Sequence, residues 1–255
     1  MKLISLNIWG GRVFDGLISF IKNEAPSTDI FCFQEIYSTK TDTKDTHGAR
    51  ANIYEEFIVL LPDYTSYFVS GENNHDKEDP TGFELQFGLA TFIKKNIDVV
   101  EYRDVFIHKY LGAAKSETGF SSPRPMQIIN LAAGAKRLTV FNLHGLHNGL
   151  DKGDCDERIE QFTKVKTLLG ETKTPKIVCG DFNALPDTES LRILETDMEN
   201  LIKKYDVQST RSSLYKKDEK MADYTLVSKD VIVKSFEVPD IEVSDHLPMV
   251  LEFDI

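Results

Sequence analysis

The sequence predicts a mixed α/β fold in which sheets carry acidic residues to a common edge, and three observations predict it. Strand-period alternation or continuous apolar runs recur from one end of the chain to the other, interleaved with helix-period patterns. The polar stretches are spread along the chain rather than gathered at one boundary. Two buried-looking strands, DIFCFQE and KIVCGDF, lie one in each half, and both end on a carboxylate.

The expected strands, in order, are Lys2–Trp9, Ile30–Ile36, Gly88–Lys94, Gln127–Ala132, Arg137–His144, Lys176–Asp181, Tyr224–Val227, Val231–Val238 and Pro248–Phe253. Between them, Phe14, Leu17, Ile18 and Ile21 recur at helical spacing, as do Tyr54, Phe57, Ile58 and Leu61. A third helix over Asp156–Leu169 gathers Ile159, Phe162, Val165 and Leu169 on one face. INLAAGAKRLTVFNLH reads as a hairpin turning at Ala133–Lys136. Thr39–Arg50, Gly71–Gly82, Gly112–Arg124 and Gln208–Met221 read as loops. With no Pro/Ser-rich linker, residues 1–255 are expected to form one domain, and the length suits a single large α/β unit.

Composition narrows the class of function. Thirty Lys+Arg against 41 Asp+Glu leave a net charge of −11, which disfavours a surface coated with phosphate contacts but leaves room for a local basic groove. No apolar run approaches the roughly 18 residues of a membrane span. MKLISLNIWGG alternates like a strand, unlike a secretory signal. The 3 cysteines include no CxxC pair, and Cys32 and Cys179 sit in apolar runs, so a reducing, cytoplasmic setting is expected. No obligate protein partner is indicated.

The residues suited to chemistry stand where strands end. Asn7 ends an alternating strand in LNIWGG, Glu35 ends another in CFQEI, and His144 closes a third in VFNLHG. Asp181 and Asn183 follow KIVC, Asp223 lies in MADYTLVS, and Asp245 and His246 precede the last strand. Taken singly, such a carboxylate is usually solvated and such an asparagine is usually a turn residue. His47, His75 and His108 are assigned nothing, and Trp9 reads as core or as a pocket wall. The set is harder to dismiss. Asp181 and Asn183, two apart, project to one side of an extended backbone. Glu35 and Asp245 are oxygen ligands suited to Mg²⁺ or Mn²⁺, and His144 and His246 can hold or transfer protons near neutrality. Without cysteine ligands or a dense histidine cluster, zinc fits poorly.

The ordered series LNIWGG, FQEI, NLHG, GDFNALPD, ADYTLVS and SDHLP resembles the endonuclease/exonuclease/phosphatase superfamily, with motifs spanning residues 3 to 250. The resemblance implies a four-layer α/β sandwich, two mixed β-sheets face to face with helices outside. It implies that Glu35 is the main Mg²⁺ ligand with Asn7 beside it, that Asp181 orients or deprotonates the attacking water, and that Asn183 holds a phosphate oxygen. His246 would face the scissile phosphate with Asp223 fixing its tautomer. His144 matches the second histidine of deoxyribonuclease- and sphingomyelinase-like members. Arg124, in SSPRPMQII, resembles an arginine set against the phosphate, and reads equally as a loop surface charge. Glu84 or Gln86 are the candidates to support His144.

The expected activity is metal-assisted, in-line attack of water on a phosphodiester or phosphomonoester. The substrate could be a small molecule, a lipid headgroup or a nucleic acid. The alternatives are a DNA-processing nuclease of the same superfamily, disfavoured by the net charge, and a catalytically dead binding protein, disfavoured by the intact residue series. The nearest approach to a basic stretch is Arg211, Lys216, Lys217 and Lys220, interrupted by acids, and a run of this kind usually marks a solvated face.

Overall fold

A computed structural model of the chain describes residues 1–41, 48–76, 79–113, 122–149 and 151–255. His47 and parts of the expected loops 39–50, 71–82 and 112–124 lie outside the described residues.

The described chain builds two mixed six-stranded sheets. The first contains β1 (Lys2–Asn7), β2 (Ile30–Ser38), β3 (Tyr64–Asn73), β6 (Gln86–Lys94), β13 (Ile232–Glu237) and β14 (Met249–Asp254), in the order β13-β14-β1-β2-β6-β3. The second contains β7 (Asp98–His108), β8 (Arg124–Ala133), β9 (Lys136–His144), β10 (Lys176–Asp181), β11 (Glu199–Asn200) and β12 (Asp223–Val227), in the order β11-β12-β10-β9-β8-β7. β4 (His75–Asp76) and β5 (Asp79–Pro80) pair by themselves. The helices are α1 (Phe14–Glu24), α2 (Ile53–Leu60), α3 (Asp156–Gly170), α4 (Glu189–Glu195) and α5 (Leu201–Lys204). None among the described residues is long and apolar enough to cross a membrane.

Strand alternation decides which way each sheet faces. In β2, Phe31 and Phe33 join Leu17, Phe20, Ile53 and Phe57 of α1 and α2, whereas Ile30 and Cys32 join the core shared with Val140, Ile177 and Cys179 of the second sheet. α3 contributes Phe162 and Val165 to that second cluster. Not all of the space between the sheets is apolar. Gln34 Nε2 donates to Asn142 Oδ1 at 2.7 Å, and Asn142 Nδ2 donates to Gln127 Oε1 at 3.1 Å and to Thr91 Oγ1 at 3.2 Å. These links tie β2 and β6 of one sheet to β8 and β9 of the other, and burial makes them costly to break.

Each half repeats one device. β1 and β2 run parallel, joined through α1, and β9 and β10 run parallel, joined through α3. The echo between DIFCFQE and KIVCGDF is thus two equivalent strands whose acids reach one edge. Close approach there requires glycine. A Cβ on Gly180, at φ 139°, would meet the Leu143 carbonyl at 2.0 Å, and one on Gly145 would meet the Phe182 carbonyl at 2.1 Å.

Every expected strand and helix is present, and β3, β4, β5, β7, β11, α4 and α5 are added to them. β3 and β7 lie at sheet edges and carry register shifts at Ser70/Glu72, Val99/Glu101 and Phe106/His108, so their period-two pattern breaks. The expected loop 71–82 is correspondingly shorter, because β3 runs to Asn73 and β4 and β5 follow.

Candidate active site

The parallel strand pairs set the first four site residues. Asn7 ends β1, and Asp181 and His144 are register partners at the ends of β10 and β9. Glu35 does not end its strand, contrary to the sequence reading. β2 continues to Ser38, and Glu35 sits in a bulge between Gln34 and Ile36 with φ 55°. The bulge turns out of the ladder a side chain that regular alternation would have kept on the face of its neighbours. Asn183 also departs from expectation. Its φ of 49° is left-handed, so it reaches the site by a turn after β10 rather than by extended backbone. Trp9, with φ 50°, lines the cavity and is not core. Three residues lining one cavity in this unfavourable region are a concentration of backbone strain typical of functional sites.

Asp181 is the focus of the geometry. Its Oδ2 accepts from Asn7 Nδ2 at 3.1 Å and lies 3.7 Å from His144 Nε2 and 3.6 Å from His246 Nε2. Its Oδ1 accepts from the Asn183 backbone N–H at 2.9 Å. Burial opposes its charge, but His246, His144 and Arg211 outweigh burial and hold the carboxyl well below the ordinary range. Asn7 Nδ2 also donates to Glu35 Oε1 at 3.1 Å, while its Oδ1 accepts from the Trp9 N–H, so its amide bridges the two acids. Glu35 keeps 27% of its side chain open. Burial and the nearby Asp245 push its carboxyl upward.

The histidines are poised in opposite directions. His246 Nδ1 lies 2.8 and 2.9 Å from the two Asp223 oxygens, so Nδ1–H faces Asp223 and Nε2 faces Asp181. Burial and Arg211 lower its basicity, but Asp223 and Asp181 prevail and raise it. Burial raises Asp223, whose Oδ2 also accepts from Thr210 Oγ1 at 2.8 Å. His144 is pushed well down by burial and by Arg124, whose Nη1 lies 3.4 Å from Nδ1. Among the described residues no hydrogen bond or ion pair links His144 to Glu84 or Gln86. Its neighbours are Arg124, Glu35 and Asp181.

A cavity of about 250 Å³ collects these groups: Glu35, Arg124, His144, Asp181, Asn183, Asp245 and His246 line it, together with Trp9, Phe87, His147, Lys152, Arg211, Tyr215 and Lys217. Asp223 and Asn7 stand behind this lining, Asp223 bonded to His246 and Asn7 to Glu35, Asp181 and Trp9. Arg124 opens β8 and is 8% exposed, which decides against a loop surface charge. Arg211 corrects the sequence reading further. It is not on a solvated face but 7% exposed, touching His246 Nε2 through Nη1, with Asp245 at 3.6 Å and Asp181 at 3.9 Å. Sequence reasoning missed Arg211, Lys152 and Tyr215. A lone hint was the Thr-Arg-Ser-Ser run opening a loop just before Asp223.

The donor chemistry fits a divalent cation. Oxygens of Glu35 and Asp181 and a nitrogen of His144 lie within 4.8 Å of one another, as do atoms of Asp181, Asp223 and His246.

Two packed mixed sheets with an acid–histidine cluster at their shared edge define a class of phosphoester hydrolases. The chain belongs to the Endonuclease/Exonuclease/phosphatase family, whose model matches residues 4–246. No curated protein matches it. Among solved structures it is similar to the mannosyl-6-phosphatase of Bacteroides thetaiotaomicron, at 18% identity and TM-score 0.74 over 100% of both chains. It is also similar to the human Nocturnin catalytic domain, at 20% identity and TM-score 0.65 over 100% of this chain and 93% of that one. A humanized D. rerio TDP2 gives 14% identity and TM-score 0.62 over 100% and 99%. At these identities the likeness is one of fold.

Proposed function

We propose that this protein is a phosphoester hydrolase dependent on a divalent cation, Mg²⁺ or Mn²⁺, and that water attacks the phosphorus in line. One observation carries the reading: His246 Nε2, backed by Asp223 through Nδ1, faces Asp181 Oδ2 across 3.6 Å at the cavity that Glu35 also lines. At that spacing an orienting acid and a proton-holding imidazole converge on the same side of one cavity, where each can reach a group of a bound phosphoester.

Glu35, with Asp181 and Asp245 beside it and Asn7 holding the acids in place, would hold the cation, which when bound neutralises charge on the phosphoryl group. The remaining steps belong to side chains. Asp181, held as a carboxylate, accepts a hydrogen bond from the water and aligns it. A loose phosphoryl-transfer transition state needs the water aligned more than it needs early proton removal. His246 Nε2, which meets Arg211 Nη1 at the cavity, would take up a proton as that contact gives way to substrate and then donate it to a phosphoryl oxygen as charge develops, while Asp223 holds Nδ1–H. Asn183 and Arg124 donate to the other oxygens. Neutral His144 orders the groups around Asp181. The unbridged Cys32, Cys155 and Cys179 support a reducing, cytoplasmic setting.

The test is hydrolysis with Mg²⁺ or Mn²⁺ across a panel, read as strand cleavage for abasic duplex, single-stranded DNA and RNA, as phosphocholine release for sphingomyelin, and as phosphate release for inositol phosphates and sugar phosphates. Turnover of at least one member, abolished by chelation and by His246→Ala, is the expected result. Silence across the panel with both cations would sink the proposal.

A further inference from the structure

The cavity carries more positive charge than holding a cation explains. Besides Glu35, Asp181 and Asp245, it is lined by Arg124, Arg211, Lys152 and Lys217, in a protein whose overall charge is −11. Three of these cations are nine-tenths buried or more: Arg124 is 8%, Arg211 7% and Lys152 6% exposed. Burying a cation is costly unless an anion repays the lost hydration. The Nε–H groups of both Arg124 and Arg211 are buried without a hydrogen-bond partner. An orphaned donor on a buried, charged group points to a ligand that completes it.

The parts are also locked together. The Arg211 guanidinium stacks on the Tyr215 ring, 4.2 Å from its centroid. Lys152 Nζ donates to the Tyr215 hydroxyl at 2.8 Å, so Tyr215 fixes both cations. Lys152 is itself anchored, since its carbonyl accepts from the Leu185 N–H at 3.0 Å. Arg211 Nη1 and His246 Nε2 touch directly, so one anionic oxygen arriving there meets both groups.

We propose that Arg211, Tyr215 and Lys152 form a clamp for the reacting phosphoryl group, and that the clamp selects phosphomonoesters over phosphodiesters. The inference rests on the hydrolase reading and deepens it. A monoester near neutral pH presents a dianion with three free oxygens, whereas a diester presents one charge and two free oxygens. Guanidinium forks bind such oxygens in pairs. Donors already oriented and stripped of water favour the ligand with more charge and more free oxygens. A diester would leave at least one of these buried cations short of a partner, and that shortfall is the source of selectivity.

Two measurements test the clamp. The first is calorimetric titration of the metal-free protein with inorganic phosphate, for the wild type, Arg211→Lys and Lys152→Met. The second is kcat/KM with Mg²⁺ for p-nitrophenyl phosphate and bis(p-nitrophenyl) phosphate. Phosphate affinity is expected to fall about tenfold or more in each variant. The wild-type preference for the monoester is expected to shrink by about tenfold or more in Arg211→Lys, which keeps the charge but loses the fork. Phosphate affinity changed by less than that in both variants, or a wild type that prefers the diester, overturns the clamp. Should Arg211→Lys fail to fold, Lys152→Met decides by the same thresholds. Should neither ester be hydrolysed, the hydrolase reading is in question, while the phosphate titration still decides the clamp.

Discussion

Asp181 and Asp223 stand directly opposite each other where β10 pairs antiparallel with β12, yet they are held in different ways. Asp223 receives His246 Nδ1 at 2.8 Å and the Thr210 hydroxyl at 2.8 Å, behind the imidazole. Asp181 receives Asn7 and the Asn183 N–H, in front of it. Burial raises Asp223, whereas the cations around Asp181 overcome burial and lower it. One register pair thus yields a carboxylate that supports the histidine and another that faces the substrate cavity.

If Asp223 acts only through His246, the two deletions are strongly non-additive. Asp223→Asn should cost less in kcat than His246→Ala, because the imidazole survives without its fixed tautomer. The double variant should be little slower than His246→Ala. Additive barrier losses, from rates of all four proteins at saturating Mg²⁺, would assign Asp223 a role elsewhere.

Glu35→Gln should leave less than about a tenth of wild-type turnover, a barrier increase above about 1.4 kcal/mol. Its metal-free thermal stability should be unchanged or higher, since the wild-type charge is opposed by burial and by Asp245. A variant that keeps most of its activity removes Glu35 from the cation site.

The same upward shift sets a pH dependence. Glu35 binds its proton more tightly in the folded chain than in the unfolded one, so it contributes stability that is full below its ordinary value of 4.5 and lost as pH rises through its raised folded value. Metal-free wild type should therefore lose stability relative to Glu35→Gln as pH climbs above 4.5, and Mg²⁺ should restore it most at the upper end. Denaturation midpoints of both proteins across that range, with Mg²⁺ or chelator, provide the check. Parallel curves would contradict it.

Asn142→Ala removes the centre of the polar network between the sheets and leaves buried partners on Gln34 and Gln127 short of hydrogen bonds. A loss of about 2–4 kcal/mol in urea unfolding is expected. A loss below about 1 kcal/mol would mean that the network is dispensable to the packing of the sheets.

Duplex DNA should bind weakly and with a shallow salt dependence, because the buried cations of the cavity reach few phosphates at once and the protein as a whole is at −11. A log–log slope steeper than about −4 would favour a nuclease.

Strand period, helix period and turn residues are local properties, and they were legible wherever they were regular. That accounts for β1, β2, β9, β10 and the helices α1 to α3, and for placing Asn7, His144, Asp181 and His246 close to strand ends. β3 and β7 escaped because bulges interrupt their alternation and their edge positions leave much of each strand in water. Glu35 is legible in the sequence as an acid late in its strand, but the bulge that aims it is not, since a register shift exists only against the neighbouring strand.

Arg211 shows the limit most sharply. In the sequence it begins a run of charges mixed with acids, and such runs are normally solvated. Its burial comes from the Tyr215 ring, the touching His246 and the nearby Asp181, which is thirty residues away along the chain and folded against it by another sheet pairing. The order of motifs along the chain therefore determined the fold family and most of the residues at its edge, because backbone preferences and burial patterns act over a few residues. Which charges would be buried, which amide would bridge Asn7 to Asp181 across 174 residues, and where a positive clamp would form were decided by the packing of the two sheets. Electrostatic environment depends on distance in space and exclusion of water, and neither is written in the local order of the chain.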